Sequence, residues 1–161
     1  MRITEEPIES DLMRDIESCA MDALPWLEIV ATEPLTASAV VAAIDRFVYQ
    51  WQQGQRPDNA GDEDFALILG SLWGMQLVES LGWDWSGVIF QDFDDARAVG
   101  VFSPKRSLAI YPFHFLHSCM EGDAPVTIEL AFNLLVEGSR IPKLPDQGFE
   151  NVMDNVHHIG S

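Results

Sequence analysis

The chain has 161 residues with a formal net charge of −17, and nearly half of the residues are hydrophobic. This length and apolar content predict one folded domain with a sizeable core, and they argue against intrinsic disorder. The acidic balance disfavours direct binding to nucleic acid or to anionic membranes, and it favours encounters with cationic proteins.

The sequence also predicts a cytoplasmic location. Its first residues, Met-Arg-Ile-Thr-Glu-Glu-Pro, lack the basic and apolar regions of a secretory signal. Every apolar stretch is interrupted before the ~20 residues that a membrane span requires. Cys19 and Cys119 are isolated from each other and form no disulfide framework, which suits a reducing compartment.

Two helices are predicted in the first third of the chain. Residues 9–23 carry apolar side chains at helical spacing. A second helix is predicted to begin after Thr36, a good N-cap residue, and to stop at Gly54. The polar, glycine- and proline-containing stretch 54–61 is predicted to be a loop.

The third predicted helix, residues 65–81, has a broad apolar face. Three acidic residues precede it, and Gly82 suits the position just after its C-terminus. Gly70 and Gly74 lie one turn apart in its interior, where each costs about 1 kcal/mol relative to alanine. We therefore expect another element to pack closely against these two glycines.

After Gly82 the apolar pattern alternates, which predicts strands at 83–90, 96–102 and 108–111. Their short connections predict an antiparallel meander. A last helix is predicted over 127–136. The expected fold is therefore α+β, with N-terminal helices packed on a small antiparallel β-meander and a C-terminal helix.

The whole chain, 1–161, is predicted to form a single domain. Residues 1–55 are expected to be its helical N-terminal part, and residues 60–137 its central part. The remainder, 138–161, is rich in Pro, Gly, Asn and Asp and is expected to be an irregular tail.

The sequence contains no recognisable catalytic motif. The sequence Gly70-Ser-Leu-Trp-Gly74 resembles a nucleophile elbow only loosely, because its serine directly follows the first glycine and lies inside a predicted helix. No phosphate-binding or dinucleotide-binding motif occurs. The sequence therefore predicts no catalytic residue and no cofactor.

The strongest metal-ligand candidates are His114, His117 and Cys119, since imidazole and thiolate suit zinc. The cluster has no second ligand pair, and apolar residues surround it. We therefore predict no metal and read these three as ordinary residues at the end of a strand. His157 and His158 are a less specific candidate.

Three aspartates, Asp92, Asp94 and Asp95, fall in the predicted turn between the first two strands of the meander. A solvated turn explains them through the backbone preferences of aspartate. A cation site or a contact with a partner protein are the alternatives. Together with Asp84 they are the predicted partner-binding residues. Nearby Trp83, Trp85 and Phe90 are expected to be core residues, and a platform for a ligand is the alternative.

A resemblance covers residues 60–137. The motif segments are Leu69-Gly70-Ser-Leu72-Trp-Gly74, Leu81-Gly82-Trp83-x-Trp85 and Ser103-Pro-x-x-Ser107-Leu-x-x-Tyr-Pro112. They resemble the bacterial domain-of-unknown-function 3806 family, which has no agreed activity to carry over. Small acidic members of such families look like the immunity proteins encoded beside interbacterial toxins.

The resulting hypothesis is a cytoplasmic immunity protein that binds a cognate toxin and covers the basic active-site cleft of that toxin with an acidic surface. Two alternatives stay open. One is an enzyme on an unfamiliar scaffold that uses His114, His117 and Cys119, and the other is a regulatory adaptor that binds proteins.

Overall fold

The computed structural model describes residues 2–29, 36–122, 125–139, 141 and 143–153. Its helices are α1 (Ser10–Trp26), α2 (Ala37–Gln52), α3 (Phe65–Leu81), α4 (Pro112–Glu121) and α5 (Ile128–Glu137). Its strands are β1 (Ile3–Glu6), β2 (Asp84–Phe90), β3 (Ala96–Phe102), β4 (Leu108–Ile110) and β5 (Glu150–Asn151). The predicted α+β class is confirmed.

The strands form one sheet in the order β1-β2-β3-β4-β5. The predicted antiparallel meander, β2-β3-β4, is its centre. The sequence analysis missed both outer strands. β1 pairs antiparallel with β2, and β5 pairs in parallel with β4, so the sheet is mixed. Residues 1–55 are therefore not purely helical, and the segment 138–161 is not purely irregular.

Helix α3 lies at the centre of the helical layer and contacts each of the other four described helices. Its side chains are buried on nearly all sides, including Leu69, Trp73 and Leu77. A helix that is apolar all round belongs in a core. Its ends follow local signals: the Asp64 side chain accepts a hydrogen bond from the Leu67 N–H, and Gly82 adopts a left-handed conformation with φ of 70°.

Side chains alternate across the sheet, so its two faces bury different clusters. One face packs on the helices through Trp85, Val101 and Ile110. The opposite face, called the back face below, carries the smaller apolar cluster Val88, Phe102, Ala109, Tyr111 and Phe149. Among the described residues, no helix combines the length and the apolar character needed to cross a membrane.

The close packing expected at the two glycines of α3 is confirmed. A methyl group at Gly70 would touch Phe113 of α4, at 3.0 Å from its ring. A methyl group at Gly74 would overlap the outer ring of Trp85. The Trp85 ring in turn stacks on Phe113, with 5.6 Å between ring centres. Both glycines therefore give up helix propensity so that α3 can approach the sheet and α4.

Candidate functional site

The turn Gln91–Asp95 joins β2 to β3 and carries three of the four predicted partner-binding aspartates. Its backbone is fixed by two hydrogen bonds, from the Phe93 N–H to the Phe90 carbonyl and from the Ala96 N–H to the Phe93 carbonyl, each 3.0 Å long. Asp94 and Asp95 both have φ of 56°. Aspartate tolerates this left-handed region better than most residues, which explains why two of them occur in succession.

Strand β1 braces this turn from one side. The Arg2 N–H donates a 2.9 Å hydrogen bond to Asp92, and the Gln91 N–H donates one of 3.0 Å to the Arg2 carbonyl. The Gln91 side chain donates to the Thr4 hydroxyl at 2.6 Å. The Asp92 carboxylate therefore helps to hold the turn, whereas Asp94 and Asp95 extend from it as exposed residues.

Phe93 lies at the tip of the turn and is 59% exposed, the largest exposed fraction among the large apolar side chains that the structure describes. The sequence analysis did not single it out. An aromatic residue in the middle of an otherwise polar turn was the available signal. An exposed aromatic side chain on a rigid turn, flanked by carboxylates, can act as an anchor in a protein interface.

Asp84, the fourth predicted residue, does not join this group. It begins the seven-residue strand β2, and the turn follows the other end of that strand, about 20 Å away. Its carboxylate accepts a 3.1 Å hydrogen bond from Arg106, which also pairs with Glu5 at 2.8 Å. The structure thus brings together Asp92, Asp94 and Asp95 and gives Asp84 a partner within the fold.

His114, His117 and Cys119 lie on α4, so the interpretation that they end a strand is wrong. Pro112 begins this helix, and proline is favoured in the first turn because its missing N–H has no helical partner to lose. Both histidines are exposed, whereas Cys119 is fully buried in the core. The three side chains therefore do not converge, and no group of three potential metal ligands occurs within the described part of the chain. Residues His157 and His158 lie outside the described residues.

Burial and the nearby charge of Asp45 raise the pKa of the Cys119 thiol to about 11. Only the thiolate is a good nucleophile or metal ligand, so we expect Cys119 to react slowly at neutral pH. The enzyme hypothesis based on this cluster therefore has no geometry to support it.

A second acidic surface surrounds Cys19, and the sequence analysis did not predict it. Burial raises the pKa of the Cys19 thiol, and four nearby carboxylates raise it further: Asp22, Asp15, Asp64 and Glu63. Asp15 and Asp22 are seven residues apart and so lie on one side of α1. The other two directly precede α3. The helical spacing of Asp15 and Asp22 was the signal that the sequence contained, whereas the packing of α1 against α3, which adds Glu63 and Asp64, is seen only in the fold.

Because these carboxylates surround it, the reactivity of Cys19 reports on the local electrostatic potential. We expect iodoacetamide to modify Cys19 slowly at pH 8, because a raised pKa leaves little thiolate at that pH. The double substitution Asp15→Asn/Asp22→Asn should accelerate the modification several-fold, and so should salt at about 1 M, where the screening length falls to about 3 Å. Peptide mapping by mass spectrometry separates Cys19 from Cys119.

Glu17→Gln is the matched control, since it removes a charge from the same helix and Glu17 is not among the carboxylates that raise this pKa. An equal acceleration in the control variant would show that net charge, rather than the surface around Cys19, sets the reactivity.

No family model matches the chain, and neither does any curated protein or solved structure. The resemblance to the domain-of-unknown-function 3806 family therefore stays a prediction.

Proposed function

We propose that this chain is a cytoplasmic immunity protein that binds a cationic toxin domain and blocks the active site of that toxin. The observation that carries the proposal is the braced turn Gln91–Asp95, which presents Phe93 between exposed carboxylates. A net charge of −17 would speed encounter with a cationic partner. The aromatic tip would then supply short-range binding energy that charge alone does not give.

The two kinds of side chain on the turn should have separable effects. Charge steering acts at long range and is screened beyond about 8 Å at physiological salt, so it mainly sets the association rate. A desolvated aromatic anchor acts only in the complex, so it mainly sets the dissociation rate. These separate effects on the two rates distinguish a turn that docks on a partner from an acidic surface that only keeps the protein in solution.

The test is binding between this chain and the product of the adjacent gene, together with rescue of cells that express that product. The association rate should fall steeply as salt is raised. Asp94→Asn/Asp95→Asn should lower that rate several-fold at low salt without straining the turn, because asparagine tolerates a positive φ. Phe93→Ala should raise the dissociation rate about 30-fold, the effect of losing a ~2 kcal/mol anchor.

Asp15→Asn/Asp22→Asn is the matched control, since it removes two charges from the surface around Cys19. If this control slows association and the turn variant does not, the partner binds at α1 and the choice of surface is wrong. If the wild-type protein neither binds the adjacent product nor rescues the cells, the immunity function itself is wrong.

A further inference from the structure

The back face of the sheet is only partly covered by described residues. Over one part of it, Phe149 packs edge-on against Phe102, and the Arg106 guanidinium lies 5.9 Å from the centre of the same ring. The rest opens into a groove of about 1150 Å³. Its apolar wall is built from Phe90, Ala98, Tyr111 and Phe149.

This groove continues to the edge of β3 that faces away from β2. All seven residues of β3 pair with β2, but β4 pairs only with Val101 and Phe102. β4 ends at Ile110 because the chain turns into α4 at Pro112. Among the described strands, none pairs with residues 97–99 on that side, and these residues line the groove.

Two hydrogen bonds reveal which backbone groups face this open edge. The Ser103 N–H donates to the Leu108 carbonyl, so the backbone polar groups of Ser103 point toward β4. Because these groups alternate in direction along a strand, those of Val99 and Arg97 also point away from β2. The hydrogen bond from the Gln91 N–H to the Arg2 carbonyl leads to the same assignment. It shows that the backbone groups of Gln91 point toward β1, so those of Phe90 and Val88 point toward β3, where they pair with Ala96 and Ala98 rather than with Arg97 and Val99. Residues 97 and 99 therefore each direct one donor and one acceptor toward the groove.

The two sides of the open edge differ in chemistry. Ala98 faces the apolar wall on the back face, where the buried Tyr111 hydroxyl has no hydrogen-bond partner among the described residues. Arg97 faces the opposite side, where the groove is also lined by Phe113 and the exposed His114. Arg97 is 69% exposed, and its contact with Glu6 is long, at 3.4 Å. Its charge is therefore accessible to a ligand.

We propose that an extended peptide with alternating apolar and acidic residues binds as an additional strand on the open edge of β3. Its backbone would pair with Arg97 and Val99, its apolar side chains would enter the groove on the back face, and its carboxylates would lie near Arg97 and His114. A second copy of this chain is a poorer occupant, since it would bring a further net charge of −17, whereas a short peptide brings only a few carboxylates and places them beside Arg97. This inference does not depend on the proposed immunity function.

The probe is Leu-Glu-Phe-Glu-Leu-amide with fluorescein coupled to its N-terminal amine, titrated with the full chain and followed by fluorescence anisotropy. We expect saturable binding to the wild-type protein. A version that is N-methylated at alternate residues cannot complete the strand hydrogen bonds and should not bind. A version with lysine in place of glutamate should bind more weakly, because of Arg97.

Val99→Pro is the decisive variant. It removes an N–H that points to the open edge, and it leaves every hydrogen bond between β3 and β2 intact. Binding should weaken at least about tenfold, the effect of losing a peptide hydrogen bond and its strand geometry. Val99→Ala, the matched control, keeps the N–H and should weaken binding less than about threefold. Circular dichroism and thermal melting check the fold of both.

Arg97→Glu gives a test that does not depend on how Val99→Pro folds. It should weaken binding of the glutamate peptide and strengthen binding of the lysine peptide. The proposal is wrong if the wild-type protein binds neither the glutamate nor the lysine peptide, or if the N-methylated peptide binds as well as the unmethylated one. It is equally wrong if Arg97→Glu leaves the preference for the glutamate peptide over the lysine peptide unchanged. It is also wrong if sedimentation shows a dimer of the wild-type chain that Val99→Pro dissociates, since a second copy would then occupy the edge.

Discussion

Gly74→Ala should destabilise the protein, although alanine is the better helix former. In an open helix position this change would add about 1 kcal/mol of stability. Here the new methyl group overlaps the outer ring of Trp85, which is held by stacking on Phe113. We expect the free energy of unfolding to fall by about 1–3 kcal/mol, as measured by urea denaturation, and Gly74→Leu should lower it further.

A double-mutant cycle shows whether this ring is the cause. Trp85→Phe removes the ring atoms that the methyl group would overlap, so Gly74→Ala should cost clearly less in that background. Gly70→Ala, one turn earlier, meets Phe113 at 3.0 Å and should have a smaller effect. Unchanged or increased stability of Gly74→Ala in the wild-type background would contradict the close packing of α3 on β2.

Arg106→Ala should lower the free energy of unfolding by about 2–3 kcal/mol, because it removes a largely buried charge that interacts with several groups. The Arg106 side chain is 15% exposed and binds Glu5 at 2.8 Å. It also donates to the Ser103 carbonyl at 3.0 Å and packs over Phe102. Asp84 is 64% exposed, so its share of the loss should be small.

Arg97→Ala is the control for this prediction. Arg97 is also an arginine of the sheet with a glutamate partner, but its exposure and its 3.4 Å distance to Glu6 predict a change within about 0.5 kcal/mol. The loss of stability caused by Arg106→Lys should lie between those of Arg97→Ala and Arg106→Ala, because lysine keeps the charge but lacks the planar guanidinium. Equal effects of Arg97→Ala and Arg106→Ala in urea denaturation would contradict the role given to Arg106.

The parts of the fold that the sequence predicted are those with local signals. Thr36 caps α2 by accepting a hydrogen bond from the Ala39 N–H at 3.1 Å, and Gly82 ends α3 with a positive φ. The alternating pattern predicted β2 and β3 to within one residue of their ends. In each case the residues that decide the structure are close together in sequence.

The missed elements depend on distant partners or on a signal that was misread. β1 is four residues long and exists through its pairing with β2. β5 has two residues and depends on β4 in the same way. For α4, Pro112 and the apolar residues Leu116 and Met120 at helical spacing were present in the sequence. The strand predicted over 108–111 favoured the interpretation that the residues after it belong to the end of a strand, so no helix was predicted there.

In the candidate site, too, the local features were predicted from the sequence and the features that depend on the fold were not. Aspartate preference for turns placed Asp92, Asp94 and Asp95 together, because that preference is local. The separation of Asp84 could not be read from the sequence, since it depends on the length of β2 and on Arg106, whose position follows from the turn before β4. The exposure of Phe93 is likewise a property of the folded surface.

The pairing of β1 with β2 also has a consequence for how the chain is made. Ile3 lies opposite Phe90, so 87 residues separate two neighbours in the sheet. At a synthesis rate of roughly 5–20 residues per second, a ribosome needs about 4 to 17 s to produce the second partner after the first. During this interval α1, α2 and α3 can begin to form from local contacts, whereas β1 has no strand to join. The first strand of the sequence therefore waits unpaired until β2 has been made, and the turn Gln91–Asp95 can be braced by β1 only after that pairing.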